Sequence, residues 1–284
     1  MIKKFILPVI ISVLMSLSCF SQGTDMGRDR RPGVFIGITT GSLNSQIINS
    51  GDFESIENGN SFNGSFDFGY YISKYFGLKT GIAYSSFIGD ISLDSYQDKI
   101  MTKDSENESY ELRITSSSLN ESQSIKIMKV PLNLVINIPI GGVVNIFIEP
   151  GLNLVIPVGN NFSSYGYFTY KGYYQEYNVL LENLPDHEFT TNKMINTDGD
   201  MELNQIWYDA VVYTGINFAI KPKYHLSAGL YYSKSIAELS GYESPGEFHL
   251  TTSPSKVNSL MGRSENVSTK ALGFNITFRY FINR

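Results

Sequence analysis

Past its first twenty residues the chain alternates apolar and polar positions with a period of two, the signature of strands with one greasy face. Met128, Val130, Leu132, Leu134, Ile136 and Ile138 share one face, opposite Lys129, Pro131, Asn133, Val135 and Asn137. After Pro139-Ile140-Gly141-Gly142, which supplies turn residues, Val144, Ile146, Ile148, Leu152, Leu154 and Ile156 alternate with Asn145, Phe147, Glu149, Gly151, Asn153 and Val155. A helix over the same stretch would bury Asn, Pro, Gly and Glu in lipid, so a hairpin is predicted.

The pattern recurs. Phe62 to Ile72 and Leu78 to Tyr84 predict a second hairpin, and Ile206 to Ile220 and Tyr224 to Tyr232, joined at Lys221-Pro222-Lys223, a third. Single strands over Val34–Thr39 and Leu272–Phe281 bracket the set, giving eight strands. The links after the second, fourth and sixth are three to four residues long. Those after the first, third, fifth and seventh are long, around Ser42–Ser61, Asp90–Gln123, Pro157–Asn204 and Glu238–Val267. This alternation predicts an all-β, eight-stranded antiparallel up-and-down transmembrane β-barrel with short periplasmic turns and long extracellular loops.

Six ionisable residues, Asp67, Lys79, Lys129, Glu149, Asp209 and Arg279, fall on the polar faces of their strands, three acids against three bases. An eight-stranded barrel is just wide enough for side chains to fill it. The six are therefore expected as a charge network in a plugged lumen. Tyr70, Tyr75, Phe76, Tyr84, Phe218, Tyr224, Tyr232, Phe278 and Tyr280 lie near strand ends, as interfacial girdles require.

The N-terminus sharpens the compartment. Lys3-Lys4, an apolar run from Phe5 to Leu17 and small residues before Gln22 read as a secretory signal over 1–21, followed by a short periplasmic segment over 22–32 and the barrel domain over 33–284. The one cysteine, Cys19, admits lipoprotein processing as an alternative. A net charge of −5 with no clustered Lys/Arg face excludes nucleic acid as a partner.

The segments Phe68–Tyr84 (FGYYISKYFGLKTGIAY), Lys129–Val158 (KVPLNLVINIPIGGVVNIFIEPGLNLVIPV), His225–Ser235 (HLSAGLYYSKS) and Leu272–Phe281 (LGFNITFRYF) resemble the PorT-like outer-membrane β-barrel family of Bacteroidota, and the signal's Ser-Gln ending is similar to that phylum's usage. The resemblance covers the strands, about half the chain, and leaves the outer loops unmatched. It implies outer-membrane lipid and the barrel insertion machinery as partners, with an envelope or secretion protein as a further one. The chain departs from many such barrels in running past Phe281 to Ile282-Asn283-Arg284 rather than ending on an aromatic.

Chemistry-bearing motifs are sparse. HExxH, CxxC and GxSxG are absent, and no catalytic residue, metal or cofactor is expected. His225 and Ser227 share a face of the seventh strand and define an alternative, a barrel-embedded lipid acyl-hydrolase. A small-solute channel is another. His187 and His249 fall in loops and are expected to be solvated. The loop acids Asp186, Glu188, Asp198, Asp200 and Glu202 offer oxygen ligands, but Thr197–Asp200 lacks a full calcium-loop pattern. The third long loop gathers Tyr165, Tyr167, Phe168, Tyr170, Tyr173, Tyr174 and Tyr177, either a binding surface for sugar or protein or a β-ribbon extending the fifth and sixth strands.

Overall fold

The computed structural model describes residues 33–51, 54–242 and 248–282; the expected signal over 1–21 and segment over 22–32 lie outside the described residues. The strands are β1 (Gly33–Ser50), β2 (Glu54–Tyr71), β3 (Phe76–Leu93), β4 (Tyr96–Lys103), β5 (Ser109–Gly141), β6 (Val144–Tyr174), β7 (Val179–Leu181), β8 (Lys193–Asp200), β9 (Trp207–Lys221), β10 (Tyr224–Ser235) and β11 (Asn266–Phe281). Eight of them close a ring in the order β1-β2-β3-β5-β6-β9-β10-β11, with β11 pairing back onto β1 and every pairing antiparallel. These are the eight strands the alternation predicts. Closure removes the sheet edge.

Three tight turns join the strands at one end, two of them only two residues long, at Gly142-Val143 and Pro222-Lys223; Gly142 has a φ of 38° that a side chain rarely tolerates. At the other end the long links are themselves built largely of strand. Ser42–Ser50 and Phe87–Leu93 continue β1 and β3, and β5 and β6 run on for 33 and 31 residues. A bilayer needs only about 9–11 residues of tilted strand, so both project far beyond any belt.

The reason the strands outrun the prediction lies in a reversal of polarity. In the lower half of β5, Met128, Val130 and Leu132 point out and are exposed while Lys129 and Asn133 point in and are buried. Higher up, Ser124 and Ser122 point out while Ile125 and Ile127 are buried. Likewise β3 exposes Leu78 and Ile82 below, then buries Phe87 and Ile91 above. β6 makes the same reversal through a register shift opposite Lys126 and Ile127.

Outside the ring, β4 extends the sheet along β5, and β7 and β8 pair with β6. The concave side of this outer sheet has its own apolar core, including Tyr96, Ile114, Phe168, Tyr170 and Phe189. Leu250, Val257 and Leu260 of the β10–β11 connection pack into it. The outer part is thus a folded cap.

Candidate functional site: the filled lumen and its cap

The barrel interior is packed in tiers set by the inward side chains. Nearest the tight turns, Phe35, Tyr71 and Phe281 pack as a ring triad with centroids 5.4 to 5.7 Å apart, and Val135 completes the tier. His225 lies over Phe281 at 4.6 Å. Above them sits Glu149 on β6, paired with Lys79 of β3 through one carboxylate oxygen and with Arg279 of β11 through the other. One strand, β5, lies between β6 and β3, and two, β9 and β10, lie between β6 and β11, so both ion pairs join strands that are not neighbours in the wall. Glu149 and Arg279 are each 0% exposed. Asp67 accepts hydrogen bonds from Thr39 Oγ1 at 2.7 Å and Ser65 Oγ at 2.9 Å.

One tier higher, Lys129 Nζ stands 3.8 Å from Asp209 Oδ2 and over the rings of Phe87 and Tyr231, at 5.3 and 5.9 Å. Asp209 also accepts from Trp207 Nε1 at 3.1 Å. Above this the filling turns apolar, with Leu43, Ile47, Val155, Trp207, Met201 and Met261 in one cluster. The six charges all lie inside, every one buried.

What packs over the upper end of the lumen has no strand period to announce it. Residues 248–264, between β10 and β11, fold inward as a strap, and a single turn at Leu260–Arg263 seats Met261 in the lumen core. Glu121 holds it. Its carboxylate accepts from Ser259 Oγ (2.7 Å), the Leu260 backbone N–H (2.8 Å), Ser164 Oγ and Gln123 Nε2. Burial pushes this carboxyl above its ordinary range against the pull of those four donors. A second clamp joins His249 Nδ1 to Asp98 Oδ2 at 2.7 Å, with the Tyr96 hydroxyl donating to the same oxygen at 2.6 Å. Burial raises the Asp98 carboxyl, but the bonds from Tyr96 and His249 outweigh it and hold it below its ordinary value. His249 is therefore a tether of the strap, correcting the expectation of a solvated loop side chain. Glu121 continues the inward register of Ile125 and Ile127 on β5, the one signal by which its sequence could have marked it.

The aromatic cluster divides by face. Phe168, Tyr170 and Tyr174 point inward and are buried in the cap core, so they form no exposed surface. Tyr165, Tyr167 and Tyr177 are exposed, and Tyr173 stacks under Arg113 at 4.1 Å. The ribbon is real but its partners differ from the expectation: β6 pairs here with β5 on one side and β7 and β8 on the other, while β9 joins it only from Val155 downward.

His225 and Ser227 both face the lumen, 4% and 0% exposed. Asn217 links them, accepting from Ser227 Oγ at 3.1 Å and lying 3.3 Å from His225 Nδ1. Neither is open to a lipid ester outside the barrel. Among the described residues no three His, Cys, Asp or Glu side chains converge on a point that would hold a metal ion.

No protein-family model matches the chain, and no curated protein matches it. Among solved structures the chain is similar to Neisserial surface protein A, at 12% identity and TM-score 0.35 over 87% of this chain and 98% of that one. It is also similar to Ail, the attachment invasion locus protein of Yersinia pestis (11%, 0.31, covering 87% and 99%), and to the outer membrane protein OprG from Pseudomonas aeruginosa (12%, 0.34, covering 89% and 97%). The barrel is read from the strand pairings themselves, and these neighbours carry no role over to this chain.

Proposed function

We propose that the chain is an exported bacterial outer-membrane barrel that neither conducts nor catalyses, and that presents its cap on the cell surface for binding or for an envelope assembly such as protein secretion, the role the PorT-like resemblance implies. One observation carries the membrane reading: all eight ring strands expose large apolar side chains at one level, among them Ile38, Phe66, Ile82, Leu132, Leu152, Ile216, Leu230 and Ile276. A water-soluble monomer rarely exposes a continuous apolar patch beyond a few hundred Å². The polarity reversal above the belt supports the same reading, since a wall turns polar outward where lipid gives way to water. On this reading the tight turns lie in the periplasm and the cap outside.

Non-conduction is supported by the tiers. A permeating ion would have to part the Lys79–Glu149–Arg279 bridge, displace Met261 and pass the Phe35–Tyr71–Phe281 triad. Planar-bilayer recording of the refolded protein tests this. The expected trace is flat, and steady large conductance steps would overturn the plugged lumen.

A further inference from the structure

The outward face of the cap is built unlike the belt below it and unlike the core behind it. Tyr165 and Tyr167 on β6 expose 51% and 43% of their surface, although the inward residues alternating with them are packed. On a strand their rings stand about 7 Å apart. By register Tyr165 lies between Asn120 of β5 and Asn196 of β8, and Tyr167 lies beside Met194, itself 57% exposed. The next row toward the belt is Ser122, Ser163 and Asp198. Beyond it Asn161 donates to Asp200 Oδ1 at 2.9 Å. An open depression of about 600 Å³ runs over these last two rows.

We infer that this face binds an uncharged polysaccharide chain from the surroundings of the cell, an assignment that rests on the cap standing outside the outer membrane. Two exposed rings in line offer apolar faces to successive sugar rings, and the flanking amides both donate and accept, as vicinal hydroxyls require. Charge sets the selectivity. Asp198 and Asp200 line the depression and no Lys, Arg or His does, so sulfated, phosphorylated or uronic chains are repelled. A protein partner fits less well, because small polar side chains flank the rings where an interface core would be apolar. β6 is hydrogen-bonded on both sides here, so little ordering opposes binding.

The test uses the full chain refolded in detergent, with maltohexaose and laminarihexaose as neutral probes and a heparin hexasaccharide as the sulfated one. Calorimetry and saturation-transfer NMR should show a neutral hexasaccharide bound and the sulfated one ignored. Tyr165→Ala with Tyr167→Ala should weaken binding about tenfold or more, and the paired Phe substitutions should retain most of it. The inference is overturned if neither neutral probe binds at about 10 mM, if the double Ala variant binds as well as the parent, or if the sulfated probe binds more tightly. The heat-dependent gel shift of a folded barrel, run on each variant, separates lost binding from lost folding. A barrel that inserts, does not conduct and ignores neutral sugars refutes this inference alone, whereas conduction or failure to partition into membranes refutes the reading beneath it.

Discussion

Replacing Glu149 by Gln keeps the shape of the side chain and removes the one carboxylate that both Lys79 and Arg279 reach across the lumen. Arg279 retains the Tyr71 hydroxyl at 3.4 Å, the rings of Phe35 and Phe147, and the weaker pull of the Asp67 carboxylate. Breaking a buried ion pair from one side costs about 3–5 kcal/mol, because the remaining charge stays buried without its counter-charge. The Gln amide oxygen still accepts one bond, which places the expectation near the lower end. For a domain of this size about 1 kcal/mol moves the midpoint by roughly 2–4 °C, so a loss of about 3 kcal/mol lowers melting by roughly 6–12 °C. Circular dichroism of the strand signal in detergent, with the gel shift as a second probe, reads this directly. A control sharpens it: converting Lys79, Glu149 and Arg279 together to Met, Leu and Met should recover most of the loss, since well-packed apolar substitutes for a buried triad are often neutral or better. Melting of Glu149→Gln and of Arg279→Leu within 2 °C or so of the parent would refute the idea that this network is part of what holds the barrel closed.

Other expectations follow from the wall and the strap. Leu132→Lys, at mid-belt, should cost roughly 2–4 kcal/mol when folding is measured in lipid vesicles; a change near zero would mean that the belt faces water. Gly215→Val should abolish refolding, because a Cβ there meets the backbone oxygen of Ala228 at 2.1 Å, whereas Gly141→Ala, with nothing within 4 Å, should refold normally. Glu121→Ala frees the strap at Ser259 and Leu260, and trypsin should then cut after Arg263 far faster than in the parent. Strap protection should also peak in pH. The depressed Asp98 contributes stability above its ordinary value of 3.8 and loses it as pH falls through its lower folded value. The raised Glu121 contributes below its ordinary value of 4.5 and loses that contribution as pH rises through its higher folded value. Hydrogen exchange of residues 249–264, corrected for intrinsic rates, should be slowest at about pH 4–5; a flat profile, or one unchanged by Asp98→Asn and Glu121→Gln, refutes the assignment.

Much of the wall was legible because lipid and a filled lumen impose opposite demands on alternate residues. Leu132 beside Lys129 and Asn133 can be read only one way if one face must meet hydrocarbon. The same logic explains why the strands were cut short. Above the belt the outward face meets water and the inward face a packed core, so Ser124 and Ile125 exchange the roles that Val130 and Lys129 hold lower down. A reversed pattern still has period two, but it reads as the end of the greasy face, and the residues beyond it as loop. In β6 a register shift accompanies the reversal and hides the continuity further.

Parity assigns a side chain to a face and says nothing about which side chain it meets across a lumen. Asp67, Lys79, Lys129, Glu149, Asp209 and Arg279 could be placed inside from their strands alone, but that Glu149 takes two cations while Asp67 takes hydroxyls depends on tilt and stagger around the whole ring. The strap lay further out of reach. Met261 has no strand period around it, and its place in the lumen core depends on Glu121, a residue 140 positions earlier in the stretch read as the Asp90–Gln123 link. That dependence bears on function. On the proposed reading, with Met261 seated in the lumen core and Phe35, Tyr71 and Phe281 packed at the turn end, recognition falls to the cap's outward surface, where Tyr165 and Tyr167 are exposed.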